Sequence, residues 1–444
     1  MSRLSLIVGT WSVVIAVLGV SQTTAQERDI KVRKDRADVE GEGAWIYNDL
    51  PRGVREAKQS GKPLLVVFRC IPCEACAQLD EQVVERDPAV RGLLDKFVLV
   101  RIVHANALDL SLFQYDYDQS WSAFFLNADL SIYGRYGTRS HRTESHNDMT
   151  LEGFGKAMEG ALAIHAEYPK NKESLAAKHG PPSDVKTPEE FASLKGKYGS
   201  TLDYEGKVVQ SCIHCHQVGE ALRRVYRDAK KPIPDAVLYP YPHPKALGLV
   251  LDPKEKARVK SVTPNSPAER DGFQAGDQIT TLEGQPLLSI ADVQWVLHRA
   301  GETGSLRADV VRGGKMMPLT LTLAKGWRQL DDITWRATSW DLRRMVTGGL
   351  VFEELPAEER QKAKLADTAL ALRVRHVGQY GAHAAGKQAG FKQGDMLIAV
   401  DGQTDRITEG DLLASLAKRT KPGDRLPVTV LRGGEKLELK LPMQ

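Results

Sequence analysis

The 444-residue sequence has no concentrated run of basic residues and little excess of either charge. Its 61 Lys and Arg side chains are nearly balanced by 57 Asp and Glu side chains, which leaves a formal net charge of +4. Because nucleic-acid binding needs a concentrated basic face, this distribution argues against a nucleic-acid partner. With 42% hydrophobic and 27% charged residues, the composition is that of a globular protein. A chain of this length is expected to fold as several domains.

Long hydrophobic runs are missing after the first 25 residues. The run Leu4–Val20 follows a cationic start at Arg3 and precedes small and polar residues that end at Ala25. This order is typical of a secretory signal peptide, which we place at residues 1–25. An uncleaved membrane anchor is the alternative, since a run of this length can cross a thinned bilayer. We therefore expect a periplasmic or secreted protein, which meets a membrane only if the signal segment stays attached.

Cysteine is scarce, with five residues in the whole chain. The five form two tight groups, in which neighbouring cysteines are separated by two other residues. The groups are Cys70, Cys73 and Cys76, and then Cys212 and Cys215. This clustering excludes a scattered disulfide framework. In an oxidising compartment, each group therefore needs a chemical reason.

Residues 26–42 are rich in Arg, Lys, Asp and Glu and predict a charged linker. Beyond them, helical and short apolar stretches alternate, which predicts a mixed α/β sheet. Three stretches resemble exported thioredoxin-like proteins: Gly61–Phe68 (Gly-Lys-Pro-Leu-Leu-Val-Val-Phe), Cys73-Glu-Ala-Cys76, and Phe124–Asp129 (Phe-Phe-Leu-Asn-Ala-Asp). The resemblance implies a thioredoxin-like domain over residues 43–168.

A Cys-x-x-Cys pair at a helix start suits thiol–disulfide exchange, since backbone N–H groups and the helix dipole favour a thiolate there. The resemblance implies that Cys73 is the attacking catalytic thiol and that Cys76 resolves the mixed disulfide. Cys70 makes this assignment ambiguous, because Cys70 and Cys73 form an equally spaced pair. A structural disulfide and a three-cysteine metal site completed by a His are the alternatives. Pro72 and Trp121-Ser122 depart from the family pattern, which expects Trp at the first place and a cis-proline at the second.

Residues 169–240 are predicted to hold a polar linker and a small helical segment around Cys212-Ile-His-Cys215-His216. Two cysteines one helical turn apart, followed directly by a His, fit c-type haem attachment with His216 on the iron. His243 is the nearest candidate for the distal ligand. The predicted cofactor is therefore haem c. The alternatives are a structural disulfide, a second dithiol that passes electrons to the first, and a metal site.

The C-terminal part of the chain contains an internal repeat. Gly272-Phe273 and Gly276-Asp277 recur as Gly390-Phe391 and Gly394-Asp395. Each copy continues with a predicted helix and ends in an Arg-Gly-Gly hairpin between alternating strands. These stretches resemble bacterial PDZ domains, which implies two β-rich copies at residues 241–325 and 326–444.

PDZ domains bind a peptide as an added strand and hold its C-terminal carboxylate on backbone N–H groups of a glycine-containing loop. The candidate loop residues are Leu247, Gly248 and Leu249 in the first copy and Gly349, Leu350 and Val351 in the second. Glycine is needed because the backbone must turn several N–H groups toward one point. We expect partners that are proteins or peptides with hydrophobic C-termini. A PDZ fold used only for packing between domains is the alternative.

The domain order resembles an exported bacterial family of thioredoxin-like and PDZ proteins, some of which carry selenocysteine near the redox motif. The expected fold class is multidomain: an α/β thioredoxin-like domain, a small helical Cys-x-x-Cys-His segment and two β-rich PDZ domains. The predicted function is an exported thiol–disulfide redox protein that recruits partners through its PDZ domains. The alternatives are a non-catalytic envelope scaffold and a metal-handling protein that uses the three-cysteine cluster. Because the chain lacks a Gly-x-Ser-x-Gly signature, we expect no protease activity.

Overall fold

Five short apolar strands form the first sheet. They are β1 (Ile46–Tyr47), β2 (Leu64–Arg69), β3 (Val98–Ile102), β4 (Trp121–Leu126) and β5 (Ile132–Tyr136). Their order across the sheet is β1-β3-β2-β4-β5; β1, β3 and β2 are parallel, and β4 is antiparallel to β2 and to β5. The apolar run Leu64–Phe68 lies in β2, and its side chains are at most 2% exposed. The computed structural model describes residues 11–71, 88–141 and 147–444.

Helices cover both faces of this sheet. They are α1 (Trp11–Glu42), α2 (Leu50–Ser60), α3 (Pro88–Leu94) and α4 (Leu151–Glu167). Alternate side chains of β2 point to opposite faces, as the pleat of a strand requires. Leu65 packs in one cluster with Phe154 of α4, whereas Leu64 packs in another with Ala57 of α2. The predicted mixed α/β sheet is therefore present in this part of the chain.

Residues 26–42, predicted as a charged linker, instead form the C-terminal part of α1. Val32 and Val39 are each 4% exposed. Between them, Asp35 accepts hydrogen bonds from Arg101 at 2.6 Å and from Arg69 at 3.2 Å. The three side chains are spaced for one helix face, so this face packs on the sheet while the other charges stay in water. No helix within the described residues is long and apolar enough to cross a membrane.

Residues 169–240 are also packed, in contrast to the linker that their polar composition predicts. They contain α5 (Lys172–Leu175), α6 (Cys215–Asp228) and α7 (Asp235–Leu238). Ile213, Val218 and Ala221 are at most 2% exposed, and they belong to the core cluster that holds Leu64 of β2. The segment around the second cysteine pair is therefore part of the core of the first sheet.

The next strands form a two-stranded and a four-stranded sheet. The elements are β6 (Leu249–Leu251), β7 (Val259–Val262), α8 (Pro267–Arg270), β8 (Gln278–Leu282), β9 (Gln285–Pro286), α9 (Ile290–Arg299), β10 (Gly304–Arg312) and β11 (Lys315–Leu323). β6 pairs with β7, and the larger sheet has the order β11-β10-β8-β9. One hydrophobic cluster joins both sheets and includes the fully buried Trp295 of α9.

The last unit repeats this plan with one continuous sheet. Its helices are α10 (Ser339–Thr347), α11 (Ala357–Lys362), α12 (Ala385–Gln388) and α13 (Glu409–Arg419), and its strands are β12 (Leu350–Glu354), β13 (Leu372–Val377), β14 (Met396–Val400), β15 (Arg425–Arg432) and β16 (Glu435–Pro442). The strands lie in sequence order across the sheet. The helices α8 and α12, the helices α9 and α13, and the hairpins β10–β11 and β15–β16 hold corresponding places, as the repeat in the sequence predicts.

Candidate functional site

The structure brings Cys70 against the Cys-x-x-Cys-His segment, although the two are far apart in sequence. Cys70 follows β2, and its backbone N–H donates to the carbonyl of Ser120 at 3.0 Å. Its sulfur lies 3.6 Å from Nδ1 of His214, the residue that caps the start of α6. Sequence spacing carries no signal for this contact, because β2 and α6 meet only through the fold. Cys73 and Cys76 lie outside the described residues.

Cys212 is buried and Cys215 is partly buried, and the two lie in different surroundings. Cys212 is 7% exposed and packs in a small cluster with Val32. Cys215 accepts a hydrogen bond from the hydroxyl of Tyr115 at 3.1 Å. Burial raises the pKa of both thiols, and for Cys215 it outweighs the hydrogen bond from Tyr115, which acts in the opposite direction. Since the thiolate is the nucleophile and the metal ligand, the raised pKa disfavours the reactive form of both cysteines.

The residues of this segment do not fit haem c. Attachment requires two sulfurs beside one porphyrin and a following imidazole directed at its iron. Instead, Cys212 and Cys215 pack in different core clusters. The imidazole of His216 lies 3.0 Å from the carboxylate of Glu220, and its side chain is 40% exposed. The described geometry therefore gives no support to haem c at these residues. Among the described residues, no group of His, Cys, Asp and Glu side chains could hold a metal ion.

His243, the expected distal ligand, takes part in a different contact. Its Nδ1 accepts the N–H of Lys245 at 3.2 Å, and its Nε2 lies 3.6 Å from Oδ1 of Asp148. Burial lowers the pKa of His243 to about 4, although Asp148 opposes this shift. The neutral imidazole therefore lies where the first sheet meets the strands that follow it.

The first candidate peptide-binding loop has the expected backbone. Gly248 connects a short turn to β6 with a φ of +86°. A Cβ at this position would lie 2.1 Å from Oγ of Ser266, so the site requires glycine. Leu247 and Leu249 are each 1% exposed and belong to the cluster that includes α9. Within the described residues β6 is an edge strand, which is the kind of strand to which a peptide adds.

The second candidate loop has the same turn, but its groove is occupied by the protein itself. Gly349 has a φ of +85° and no room for a Cβ. Leu350 and Val351 are 0% and 2% exposed. Glu409, at the start of α13, accepts the N–H of Phe352 in β12 at 2.8 Å. A backbone donor that a bound peptide would use is therefore already satisfied.

Arg343 of α10 fixes Glu409 in this position. Its guanidinium donates to both carboxylate oxygens of Glu409, at 3.0 and 2.6 Å. A cavity of about 390 Å³ lies beside the pair, and Asp332, Glu354 and Asp411 are among the acidic residues that line it. Nothing in the sequence alone singles out Arg343 and Glu409. An Arg on one helix and a Glu at the start of another are too common to be singled out without the fold.

Two family models match the chain. A model described as thioredoxin-like matches residues 45–128, and a model described as a PDZ domain matches residues 258–312. The chain contains a thioredoxin-like domain and a PDZ domain. We use these names for the β1–β5 sheet with its covering helices, and for the unit β6–β11.

Similar proteins with curated descriptions include periplasmic serine endoproteases. A DegP-like periplasmic serine endoprotease of Marinomonas sp. is 28% identical over 184 residues, which are 41% of this chain and 36% of that protein. The periplasmic serine endoprotease DegP of Salmonella typhimurium is 25% identical, over 36% of this chain and 29% of that protein. The chain thus spans about a third of the length of these relatives. A solved structure of the HtrA-type protease AlgW with a decapeptide is 16% identical with a TM-score of 0.20, over 32% of this chain and 49% of that one.

These relatives confirm the periplasmic or envelope location and contradict the predicted function. The expectation of a thiol–disulfide redox protein, with its scaffold and metal-handling alternatives, is wrong, because the relatives are serine endoproteases. The predicted redox-active disulfide and haem c have no support in them. Burial raises the pKa of the thiols of Cys212 and Cys215, which disfavours the reactive thiolate at these two positions. The predicted exchanging pair, Cys73 and Cys76, lies outside the described residues.

Proposed function

We propose that the protein serves proteolysis of the serine-endoprotease type in the periplasm by binding peptide chains on its PDZ domain. The observation that carries the proposal is the loop at Gly248, where a left-handed glycine leads into the edge strand β6 above an apolar floor. Such a loop can capture a C-terminal carboxylate while the peptide adds to the strand. The similarity to DegP-type proteins supports a role in proteolysis.

We further infer that residues 326–444 form a second PDZ domain. The repeated motifs and the matching order of helices and strands support this inference. Because Glu409 caps the edge of β12, the first copy is the better peptide-binding site. Leu247, Leu249 and Leu251 belong to the hydrophobic cluster that adjoins this loop and β6, and we expect them to form the floor of the groove. These side chains favour peptides that end in a hydrophobic residue.

Hydrolysis by the chain itself is a second candidate, and one contact favours it. Oγ of Ser140 accepts a hydrogen bond from Nζ of Lys245 at 3.0 Å and donates to Oδ2 of Asp148 at 2.7 Å. A nucleophilic serine needs a base that takes its proton. Asp148 is also 2.5 Å from Lys245, so the carboxylate that would act as base already balances a cation. Peptide binding therefore ranks above hydrolysis for this chain.

Fluorescence anisotropy with a labelled peptide tests the binding proposal. We expect a peptide with an apolar last residue and a free carboxylate to bind with a free energy of about −8 kcal/mol or weaker, and its C-terminal amide to bind less tightly. Gly248→Ala should abolish binding. Gly92→Ala is the matched control, because a Cβ there meets nothing within 4 Å. Equal binding of acid and amide would count against carboxylate capture.

A fluorophosphonate probe tests the second candidate on the same protein. If the chain is itself a serine hydrolase, the probe labels it and Ser140→Ala removes the label. We expect no labelling at Ser140. Labelling together with cleavage of an unfolded substrate protein would move hydrolysis ahead of binding.

A further inference from the structure

We propose that the thioredoxin-like domain holds the groove of the PDZ domain closed, so that a peptide binds only when this domain moves away. The proposal rests on the peptide-binding function above and names the regulation of the same site. In a peptide groove of the PDZ type, the borders are the loop at Gly248, the strand β6 and the helix α9. The thioredoxin-like domain contacts the turn before Gly248, the helix α9 and the connection that follows β6.

The helix border is covered along its length. Every residue of α9 from Ile290 to Leu297 is buried, whereas a surface helix normally leaves one face to water. Oγ1 of Thr138 donates to Oε1 of Gln294 at 2.5 Å. The N–H of Arg135, at the end of the first sheet, donates to Oδ1 of Asp292 at 3.2 Å. The chain that leaves β5 therefore runs directly over this helix.

The loop border is held by an ion pair. Lys245 lies in the turn just before Gly248, and its Nζ is 2.5 Å from Oδ1 of Asp148 and 3.0 Å from Oγ of Ser140. The side chain of Asp148 is 1% exposed, so the pair is shielded from water on the carboxylate side. A peptide carboxylate that reaches this loop meets a lysine that Asp148 already neutralises.

The start of α4 lies beside the strand border, against the connection that follows β6. Oγ1 of Thr150 donates to the carbonyl of Pro253, just beyond β6, at 3.0 Å. A Cβ at Gly153 would lie 2.0 Å from the same carbonyl oxygen, which shows how closely the helix approaches. Farther along, Nζ of Lys156 lies 2.6 Å from Oε1 of Glu255. The helix thus lies against the connection between β6 and β7, beside the edge that a peptide would use.

Closure of this kind sets the affinity for peptides. When only a fraction of the molecules is open, the apparent dissociation constant rises by the inverse of that fraction. A peptide shifts the balance only through its preference for the open state. A free carboxylate with an apolar last side chain has that preference, because it offers Lys245 a replacement for Asp148 and fills the floor at Leu249. Peptides with a free C-terminal carboxylate and an apolar last residue should therefore both open the groove and bind in it.

The test changes only the thioredoxin-like side, so that the peptide site itself stays intact. The double variant Thr138→Val/Asp148→Asn removes two of the contacts with little change in shape. Thr138→Ser keeps the hydroxyl and is the matched control. Lys172→Met removes an exposed ion pair between α5 and Asp129 of the thioredoxin-like domain, away from the groove, and is the second control. Amide hydrogen exchange of α9 measures opening, and anisotropy with the free-acid peptide measures binding.

In the double variant we expect the amide hydrogens of α9 to exchange about tenfold faster and the peptide to bind about tenfold more tightly. Both control variants should match the unchanged protein in both measurements. Faster exchange of α9 with an unchanged affinity for the peptide would refute the proposed closure of the groove. The proposed peptide-binding function would not be affected by that result. Unchanged exchange would overturn the closure too, because the contacts would then not hold the helix. No binding by any form, despite faster exchange, would refute the proposed function and with it a regulated peptide site.

Discussion

Asp395 binds Arg432 through two side-chain hydrogen bonds of 2.7 Å, and Asp277 binds Arg312 in the same way at 2.6 and 2.7 Å. Both carboxylates are at most 1% exposed, whereas each arginine side chain is 29% exposed. A carboxylate buried this deeply depends on its cation, since an unpaired buried charge is costly. The repeat in the sequence is therefore also a repeat of one stabilising contact.

Removing either arginine should destabilise its own unit by a similar amount. We expect Arg432→Met and Arg312→Met each to lower the free energy of unfolding by about 2 to 3 kcal/mol. Each variant leaves a buried carboxylate without its cation, and the partly exposed site lets water compensate for only some of the lost interaction. Urea unfolding measures this loss. Arg307→Met is the control, since its side chain is 74% exposed and 3.5 Å from Asp309; it should cost less than about 0.5 kcal/mol. A loss that small in Arg432→Met would show that the pair is not stabilising.

A second arginine contact ties the thioredoxin-like domain to the start of the last unit. Arg336 donates to both carboxylate oxygens of Asp116 at 2.7 Å and to the carbonyl of Pro240 at 2.7 Å. Its side chain is 1% exposed. We expect Arg336→Met to cost about 3 to 5 kcal/mol of unfolding free energy, because Asp116 is then buried without its cation. Denaturant unfolding followed by tryptophan fluorescence measures the effect.

Arg344→Met is the control for this prediction. Arg344 forms an ion pair with Asp341 at 2.8 Å within α10, and its side chain is 17% exposed. Because this pair connects neighbouring turns of one helix, its loss should cost about 1 kcal/mol or less. Equal losses of unfolding free energy in Arg336→Met and Arg344→Met would mean that the contact between the domains stabilises the protein no more than an ion pair within one helix.

Local patterns predicted the parts of the fold that depend on local chemistry. The apolar run Leu64–Phe68 is a buried strand, and the need for glycine at Gly248 follows from the turn. The repeat correctly placed the helices and hairpins of the last two units. These features depend on strand burial, backbone freedom and turn geometry, which a short stretch of sequence encodes.

Long-range contacts explain what the sequence analysis missed. Charge content made residues 26–42 look like a linker, yet Asp35 of that stretch finds Arg101 across the fold. The cysteine motifs predicted redox chemistry, but reactivity depends on the exposure of a thiol, and Cys212 is buried. Lys245 and Asp148 meet from different domains, so neither could be recognised as a groove contact from its own neighbours in sequence.

A buried histidine should make the protein sensitive to acid. His298 stacks on Tyr241 with ring centres 4.0 Å apart, and burial together with nearby arginines lowers the pKa of His298 to about 3. In the unfolded chain a histidine binds its proton near pH 6.5. Between these two values the unfolded state holds more protons, so the free energy of unfolding falls as the pH falls, by up to about 1.4 kcal/mol per pH unit for this group.

Comparison of His298→Gln with the unchanged protein measures this contribution. Urea unfolding at about pH 6.5 and about pH 4.5 should show a loss that is smaller in the variant by about 2 kcal/mol. His376→Gln is the matched control, because His376 lies on the surface, and it should keep the full loss. If the free energy of unfolding falls by the same amount between the two pH values in all three proteins, His298 is not a source of the acid sensitivity.

The thiols of Cys212, which is buried, and of Cys215, which is partly buried, should react with alkylating reagents much faster when the chain unfolds. Burial raises the pKa of each, and the thiolate is the form that reacts. At about pH 8 we expect iodoacetamide to modify both at least about 100-fold more slowly in the folded protein than in urea. Mass spectrometry of peptides from the reduced protein distinguishes them from the other three cysteines.

Tyr115→Phe separates the two thiols. The hydroxyl of Tyr115 donates to the sulfur of Cys215 and thereby favours its thiolate. Its loss should slow the modification of Cys215 in the folded protein, provided that the phenylalanine keeps the site closed, and leave Cys212 unchanged. Complete alkylation of both cysteines in urea would also exclude a covalent haem, because a thioether sulfur has no thiol left to modify. Rapid modification of either cysteine in the folded protein would contradict the raised pKa of these two thiols.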